Sequence, residues 1–232
     1  MTMGYDRAIT IFSPEGRILQ VEYARQAVKS GSTAIGLVAK DGVVIVVDKR
    51  VHSRLVIDSS IEKIYIIDDH IISTFSGFIP DGRVLLEKAR TIAQEYKFTF
   101  GSPIDMLSLV KDIGDYKQLF TQYGGLRPFG VSLIFAGIDN NKPRVFMTDP
   151  SGIYYEYKAI AVGEGENRLL SILEKEYTEN MSIEEAISFG IKLLKEALDK
   201  DFDINRVNVA YIRIGEKPKI LNRKDLKKYE KA

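Results

Sequence analysis

The chain of 232 residues has 33 lysines and arginines against 32 aspartates and glutamates, so its net charge is close to zero. This length suits one large domain, and the balanced charge gives no overall field that would attract nucleic acid or an anionic membrane surface. The sequence contains no cysteine and 2 histidines, which excludes a disulfide framework, a thiolate nucleophile and a zinc finger.

The first part of the chain predicts a short helix followed by two β-hairpins. A helix is expected over residues 20–30, where apolar positions recur at helical spacing before a glycine: Val21, Ala24, Val28 and then Gly31. The runs "STAIGLVA" and "VVIVVDKR", separated by Lys40-Asp41-Gly42, predict the first hairpin. The runs "KIYIID" and "HIISTFSG" predict the second, with its turn at Asp68-Asp69.

Two long helices are predicted after these hairpins. An apolar stripe from Val84 to Tyr96 indicates the first helix, which should end near Gly101. Ser102 is the predicted N-cap of the second helix, and Pro103 its first helical residue.

The remaining chain repeats this order of elements. Four strand patterns, "VSLIFAGID", "PRVFMTD", "GIYYEYK" and "AIAVG", precede two further helices, the second of which begins at a capping box of Ser182 and Glu185. "RVNVAYIRI" predicts a last strand, and residues 222–231 a charged, solvated tail. Antiparallel strands with helices grouped in pairs predict an α+β fold, a four-layer αββα sandwich in which helices cover the outer faces of two stacked antiparallel sheets.

Two motifs that suggest a ligand have simpler explanations. The stretch "AVGEGENR", residues 161–168, lacks the third glycine of a dinucleotide loop and carries Glu164 and Glu166 where a pyrophosphate would sit. A strand-to-helix turn is therefore favoured over a nucleotide-binding module. His52 and His70 have no second ligand pattern nearby, which favours surface or hairpin positions over a metal site.

The stretch "GSTAIG", residues 31–36, suggests an enzyme. A hydroxyl residue straight after a glycine, at the start of a buried strand, is typical of N-terminal-nucleophile hydrolases before self-cleavage, and Asp48 is a candidate orienting acid. However, Ser32 and Thr33 gain a free amine only if the Gly31–Ser32 bond is cut. An ordinary buried strand start is therefore favoured over a nucleophile.

Several segments together resemble the proteasome α-subunits of archaeal type. They are "YDRAITIFSPEGRILQVEYA", "GSTAIG", "DKR", "SIEKI", "STFSG", "FTQYGGLRPFG" and "SLIFAGID", and the similarity runs from about Tyr5 to the last helix. The resemblance implies the sandwich of the N-terminal-nucleophile hydrolases as a single domain over residues 1–232. Its parts would be a gate arm at 1–19, a plug helix at 20–31, the sandwich at 32–214 and a charged C-terminal tail at 215–232.

The resemblance also implies what the N-terminal arm does. In that family the arm lies across the axial pore of a seven-membered ring, and the helix fills a cleft that the catalytic sister subunits leave open. The residues that hold the gate open between neighbouring subunits would be Tyr5, Asp6, Pro14 and Tyr23.

Two further sites follow from the resemblance. Lys63 would lie at the floor of an intersubunit pocket that receives the C-terminal carboxylate of an activator, with Gly77 and Phe78 nearby. A loop below the gate, the pore annulus, would consist of Tyr123, Gly124, Gly125, Leu126, Arg127 and Pro128. Without the resemblance, Lys63 would be interpreted as a surface charge and residues 123–128 as a glycine loop.

The implied function is non-catalytic, with no catalytic residue, cofactor or metal of its own. The expected partners are further copies of the chain in a seven-membered ring, proteasome β-subunits that carry the threonine peptidase, and unfolded polypeptide in transit. An ATPase activator of the proteasome-activating nucleotidase type, whose C-terminus reads hydrophobic-tyrosine-any residue, is also expected, whereas nucleic acid and membranes are not. No apolar run approaches the roughly 20 residues of a membrane span and no secretion signal is present, which predicts a cytoplasmic protein.

Overall fold

A computed structural model describes residues 10–50, 53, 55–57 and 60–229. In chain order the elements are α1 (Leu19–Lys29), β1 (Ala34–Ala39), β2 (Gly42–Asp48), β3 (Ile64–Asp68), β4 (Ile71–Gly77), α2 (Ile79–Phe100), α3 (Met106–Gln122), β5 (Val131–Asp139), β6 (Lys142–Thr148), β7 (Tyr154–Tyr157), β8 (Ala159–Val162), α4 (Glu166–Glu176), α5 (Ile183–Leu198), β9 (Val207–Arg213), β10 (Lys219–Ile220) and α6 (Arg223–Leu226). In this part of the chain, no helix combines the length and the apolar character needed to span a membrane.

The strands form two antiparallel sheets, as predicted. The first sheet has the order β10-β9-β2-β1-β8 and the second the order β3-β4-β5-β6-β7. Three apolar clusters hold the layers together: one lies between the sheets, one joins α4 and α5 to the first sheet, and one joins α2 and α3 to the second. Because the central strands are covered on both faces, β2 is buried at every position. The predicted αββα sandwich is confirmed.

Strands that follow one another in sequence do not always share a sheet. The first hairpin, β1–β2, belongs to the first sheet, whereas the second hairpin, β3–β4, belongs to the second. Strands β7 and β8 are separated only by Lys158, yet β7 pairs with β6 and β8 pairs with β1. The chain therefore passes from one layer of the sandwich to the other at Lys158.

The start of α3 differs from the prediction. The helix begins at Met106 with Asp105 as its N-cap, rather than at Pro103 with Ser102 as the cap. The Asp105 carboxylate accepts a hydrogen bond from the Ser108 amide at 2.9 Å, which satisfies one of the free donors of the first turn. The preceding helix ends as predicted, because Gly101 adopts a left-handed conformation with φ of 69°.

The C-terminal segment is not simply a solvated tail, so that prediction was wrong. Strand β10 pairs with β9, and the short helix α6 follows it. Leu226 and Tyr229 are buried in the apolar cluster beneath α5. The charges dominate the composition of residues 222–231, but these two residues lie three apart and so reach the core from one helical face.

Candidate functional site

The described part of the N-terminal arm forms a tight turn. The Ser13 amide donates to the Arg17 carbonyl at 2.8 Å and the Gly16 amide to the Ser13 carbonyl at 2.8 Å. Gly16 has a φ of 74°, which a residue with a side chain rarely adopts. Pro14 is exposed at the tip of this turn. Tyr5 and Asp6, the other predicted gate residues of the arm, lie outside the described residues.

Helix α1 packs on the ends of the central strands of the second sheet. Val21, Ala24 and Val28 form its buried stripe, as their spacing predicted. The Ser76 hydroxyl at the end of β4 donates to the Val28 carbonyl at 3.1 Å, and the Gly31 amide donates to the same carbonyl at 2.9 Å. Tyr23 projects from the same helix and is half exposed. The helix thus covers one end of the sandwich.

Three glycines allow the chain to close up behind α1. A Cβ atom at Gly31 would overlap the backbone of Gly77, and one at Gly163 would lie 2.6 Å from the Ser76 hydroxyl and 3.0 Å from the Gly31 carbonyl. Gly77 has a φ of 118°, so a side chain there would also be strained. The Glu164 amide donates to the Gly31 carbonyl at 2.9 Å. The Gly31–Ser32 bond therefore lies in a closely packed junction of three backbone segments.

The groups that would serve an N-terminal nucleophile are otherwise engaged. The Thr33 hydroxyl is buried and donates to the Glu164 carbonyl at 2.8 Å. The Asp48 carboxylate, which is fully buried, accepts two hydrogen bonds from Arg206, at 3.0 and 2.8 Å. Because residues 10–31 precede Ser32 in the described chain, neither hydroxyl residue has a free amine in this arrangement.

Lys63 is buried, so it is not the exposed surface charge that the sequence would suggest without the family resemblance. Its side chain lies over the Phe75 ring, with Nζ 4.3 Å from the ring centroid, and Nζ donates to the Phe75 carbonyl at 3.2 Å. Burial lowers the pKa of Lys63 to about 8, although the negative charge of Asp48 acts in the opposite direction. Within the described residues this carbonyl is the one acceptor for three ammonium protons, so the group retains capacity for an anionic ligand.

A groove of about 350 Å³ runs between α1 and the segment before β5. It is lined by Gln20, Tyr23, Ala24, Ala27, Phe78, Arg127, Pro128 and Gly130. The structure thus brings together one predicted gate residue, Tyr23, one predicted pocket residue, Phe78, and two residues predicted in the annulus, Arg127 and Pro128. Lys63 does not line this groove; it lies beneath β4, the strand that ends just before Phe78.

Arg127 forms one wall of the groove. Its guanidinium lies 5.3 Å from the centroid of the Phe78 ring and forms two hydrogen bonds with the Asp81 carboxylate, at 2.6 and 2.8 Å. Asp81 also accepts from the Gly130 amide at 2.8 Å. This pairing raises the pKa of Arg127, so the wall is permanently cationic. The contact was not identified from the sequence, because Asp81 and Arg127 are 46 positions apart.

The rest of the predicted annulus is an exposed loop after α3. Tyr123 and Leu126 are exposed, and a Cβ at Gly124 or Gly125 would meet no atom within 4 Å. Gly125 has a φ of 86°, which accounts for a glycine there. Of the six predicted annulus residues, the four from 123 to 126 therefore form an exposed loop, while Arg127 and Pro128 line the groove.

The other motifs acquire structural roles. The turn at 163–165 connects β8 to α4, and Glu164 forms an ion pair with Arg50. The Nε2 atom of His70 lies 2.8 Å from the Ile104 carbonyl, whereas His52 lies outside the described residues. Among the described residues no group of three or more histidines and acids could hold a metal ion.

An ion pair that the sequence did not predict connects α1 to the turn after β6. The Nε and Nη2 atoms of Arg25 donate to Oδ2 of Asp149 at 2.9 and 2.6 Å. The two residues are 124 positions apart, so no local pattern could have predicted their contact.

Comparison with known proteins places these features in a family. The family model described as "Proteasome subunit" matches residues 28–212, and the model of the N-terminal signature of the A-type proteasome subunits matches residues 5–27. The chain is 48% identical to the proteasome alpha subunit of Picrophilus torridus over 98% of this chain and 97% of that protein. It is 51% identical to the proteasome alpha subunit of Thermococcus kodakarensis over 97% of this chain and 86% of that protein. It is 50% identical to the proteasome alpha subunit of Methanosarcina acetivorans over 93% of this chain and 87% of that protein.

Proposed function

We propose, because this chain belongs to the proteasome subunit family and carries its α-type N-terminal signature, that it is a non-catalytic subunit of the outer ring of a 20S proteasome core. In this role seven copies, or copies mixed with related subunits, form a ring that stacks on the β-subunits. The peptidase activity then resides in the β-subunits, and unfolded polypeptide passes through the ring to reach them.

The observation that carries the non-catalytic role is the position of α1. The helix precedes the hydroxyl residues and covers the end of the sandwich, while Thr33 and Asp48 are engaged in other contacts. An N-terminal-nucleophile hydrolase would need the Gly31–Ser32 bond cut and α1 released. These contacts favour a structural subunit over the enzyme.

The N-terminal arm gates substrate entry in this proposal. The signature that matches residues 5–27 includes the arm, the turn at Ser13 to Arg17 and most of α1. The turn is closed by its own hydrogen bonds and is joined directly to α1, so it offers a firm base from which residues 1–12 can extend across a pore. Tyr5, Asp6, Pro14 and Tyr23 are the proposed gate residues.

The groove beside α1, with Lys63 behind it, is the proposed docking site for the C-terminus of an ATPase activator. Tyr23 and Phe78 provide apolar surface for a hydrophobic residue and a tyrosine, and Arg127 adds a cation. The Lys63 ammonium, which donates to the Phe75 carbonyl, is suited to a terminal carboxylate. Gly77 permits the close approach of β4 to Gly130 at this point.

Reconstitution tests the proposed role. The purified chain should form rings in negative-stain images, show no peptidase activity alone, and retain its N-terminus by intact-mass measurement. With β-subunits, replacement of both Ser32 and Thr33 by alanine should leave peptide hydrolysis unchanged. A mature chain that begins at Ser32, or activity lost on this replacement while particles still assemble, would instead establish the hydrolase.

A further inference from the structure

The Asp149 carboxylate is a prepared anchor for a cation. Its Oδ1 atom accepts from the Ser151 amide at 2.8 Å and from the Ser151 hydroxyl at 2.6 Å, which leaves Oδ2 for both nitrogens of Arg25. The backbone of the turn is also closed, since the Asp149 amide donates to the Ile153 carbonyl at 2.9 Å. The contacts with Ser151 therefore fix the orientation of the Asp149 carboxylate independently of Arg25.

Helix α3 packs against the turn formed by residues 149–153 and against the strand ends next to it. Lys117 is fully buried, and its Nζ atom lies 3.0 Å from the Val131 carbonyl, 3.0 Å from the Thr148 hydroxyl and 3.3 Å from the Thr148 carbonyl. These three contacts join the start of β5 and the end of β6 to α3 just before Asp149. Gly114 allows the same helix to approach Gly152 closely.

The anchored flank of α1 lies opposite the groove. Successive helical residues are about 100° apart, so Arg25 lies about 200° around the axis from Tyr23. The groove is lined by Gln20, Tyr23 and Ala27 on one flank, while Arg25 contacts Asp149 on the other. The far wall of the groove is fixed separately, through the pairing of Asp81 with Arg127. The roll and position of α1 therefore decide how wide the groove is.

We propose that Asp149 is the positioning residue of α1: held by Ser151, and by Lys117 through the neighbouring Thr148, it fixes Arg25 and so sets the width of the groove that binds the activator C-terminus. Asp149 does not touch the groove and acts only through Arg25. The part of this inference that concerns binding rests on the proposed docking function, whereas the part that concerns the position of α1 does not.

The test uses hydrogen exchange on the full-length protein with three single variants. Asp149→Asn retains the shape and the Ser151 contacts but removes the charge, and Arg25→Met removes the other partner. Glu22→Gln is the matched control, since Glu22 contacts the same guanidinium at 2.8 Å from within α1. In Asp149→Asn and Arg25→Met the amides of residues 23–29 should exchange about three- to tenfold faster, with β5 and β6 unchanged. Glu22→Gln should leave exchange in α1 near the original rate.

Peptide binding to the same proteins tests the connection to the groove. The probe is a synthetic peptide that ends in a hydrophobic residue, tyrosine and one further residue. Its affinity should fall about three- to tenfold in Asp149→Asn and in Arg25→Met, with no further loss in the variant that combines both, and should be retained in Glu22→Gln.

Unchanged hydrogen exchange in α1 would overturn the positioning role of Asp149. Faster exchange with unchanged peptide affinity would overturn its control of the groove. If the original protein does not bind the peptide, the docking function fails, while faster exchange still supports Asp149 as the anchor of α1.

Discussion

Arg127 and Asp81 pair through two hydrogen bonds of 2.6 and 2.8 Å and thereby build one wall of the groove. The Asp81 carboxylate is largely buried and also accepts from the Gly130 amide, whereas more than half of the Arg127 side chain is exposed. The pair therefore presents a fixed cation at the groove while its anion remains inside the protein. This arrangement leads to the first prediction.

Asp81→Ala should destabilise the fold by about 1–3 kcal/mol, because the buried Gly130 amide loses its acceptor and Arg127 is released. Affinity for the activator peptide should fall as well, since Arg127 no longer covers Phe78. Chemical denaturation and peptide titration measure the two effects. Glu87→Gln, on an exposed face of the same helix, is the control and should change neither. Equal stability of Asp81→Ala and the original protein would show that the wall does not depend on this carboxylate.

Activator binding should weaken at alkaline pH. Burial lowers the pKa of Lys63 to about 8, so the ammonium that attracts a carboxylate is present below this pH and is lost above it. Peptide affinity should be flat from pH 6 to about 8 and then fall by up to tenfold per pH unit until the pKa of the bound state is reached.

Two comparisons isolate this effect. Lys63→Arg should bind more weakly but without the alkaline loss, because a guanidinium stays charged and presents its donors in a plane. A peptide with an amidated C-terminus should bind weakly at every pH. The same alkaline loss in Lys63→Arg would assign the titration to another group.

Deletion of residues 2–11 should raise peptide hydrolysis by a reconstituted core without any activator. The turn at Ser13 to Arg17 and all of α1 remain, so the fold should persist. Particle integrity by electron microscopy is the control, and an unchanged rate in intact particles would contradict a pore-covering arm.

Lys63→Ala should abolish activation in particles with an intact arm but scarcely alter small-peptide hydrolysis in particles without residues 2–11. The reason is that the carboxylate affects the gate only by binding its pocket, so the two changes are non-additive. Loss of one partner of a close charge pair typically costs about 2–5 kcal/mol of binding free energy. Normal activator binding by Lys63→Ala particles would rule out this pocket.

Stability should rise with pH between about 7 and 10, in part through Lys117. Burial lowers the pKa of Lys117 to about 7, whereas in the unfolded chain its pKa is close to the ordinary value of about 10.4. The unfolded state therefore binds more protons in this range, so the free energy of unfolding increases with pH. Below about pH 7 Lys117 is protonated in both states, and the full cost of burying its charge lowers the free energy of unfolding. In Lys117→Met this part of the slope should disappear. Urea denaturation of both proteins at pH 7 and 9 provides the measurement, and equal slopes would contradict it.

The main features of the fold could be predicted because they depend on local spacing. The stripe of Val21, Ala24 and Val28 identifies α1, and Gly101 marks the end of α2, since both signals act within one or two helical turns. The start of α3 was misplaced because Ser102 and Asp105 are both good N-caps, and only the contact with Ser108 distinguishes them. Leu226 and Tyr229 were missed because two apolar residues are too few to reveal a buried face.

The site was decided by contacts that no local pattern contains. The sequence was sufficient to identify the family through its N-terminal signature, and its resemblance to that family makes Lys63 and Tyr23 predicted site residues. The fold alone shows that Lys63 is buried and that Arg127 and Pro128 belong to the groove beside Tyr23. It also joins Asp81 to Arg127 across 46 residues and Arg25 to Asp149 across 124. The stacking of two sheets and the docking of α1 bury polar groups, and each of these groups then needs a hydrogen-bond partner from another part of the chain. The periodicity of a short stretch of sequence does not indicate which residue that partner is.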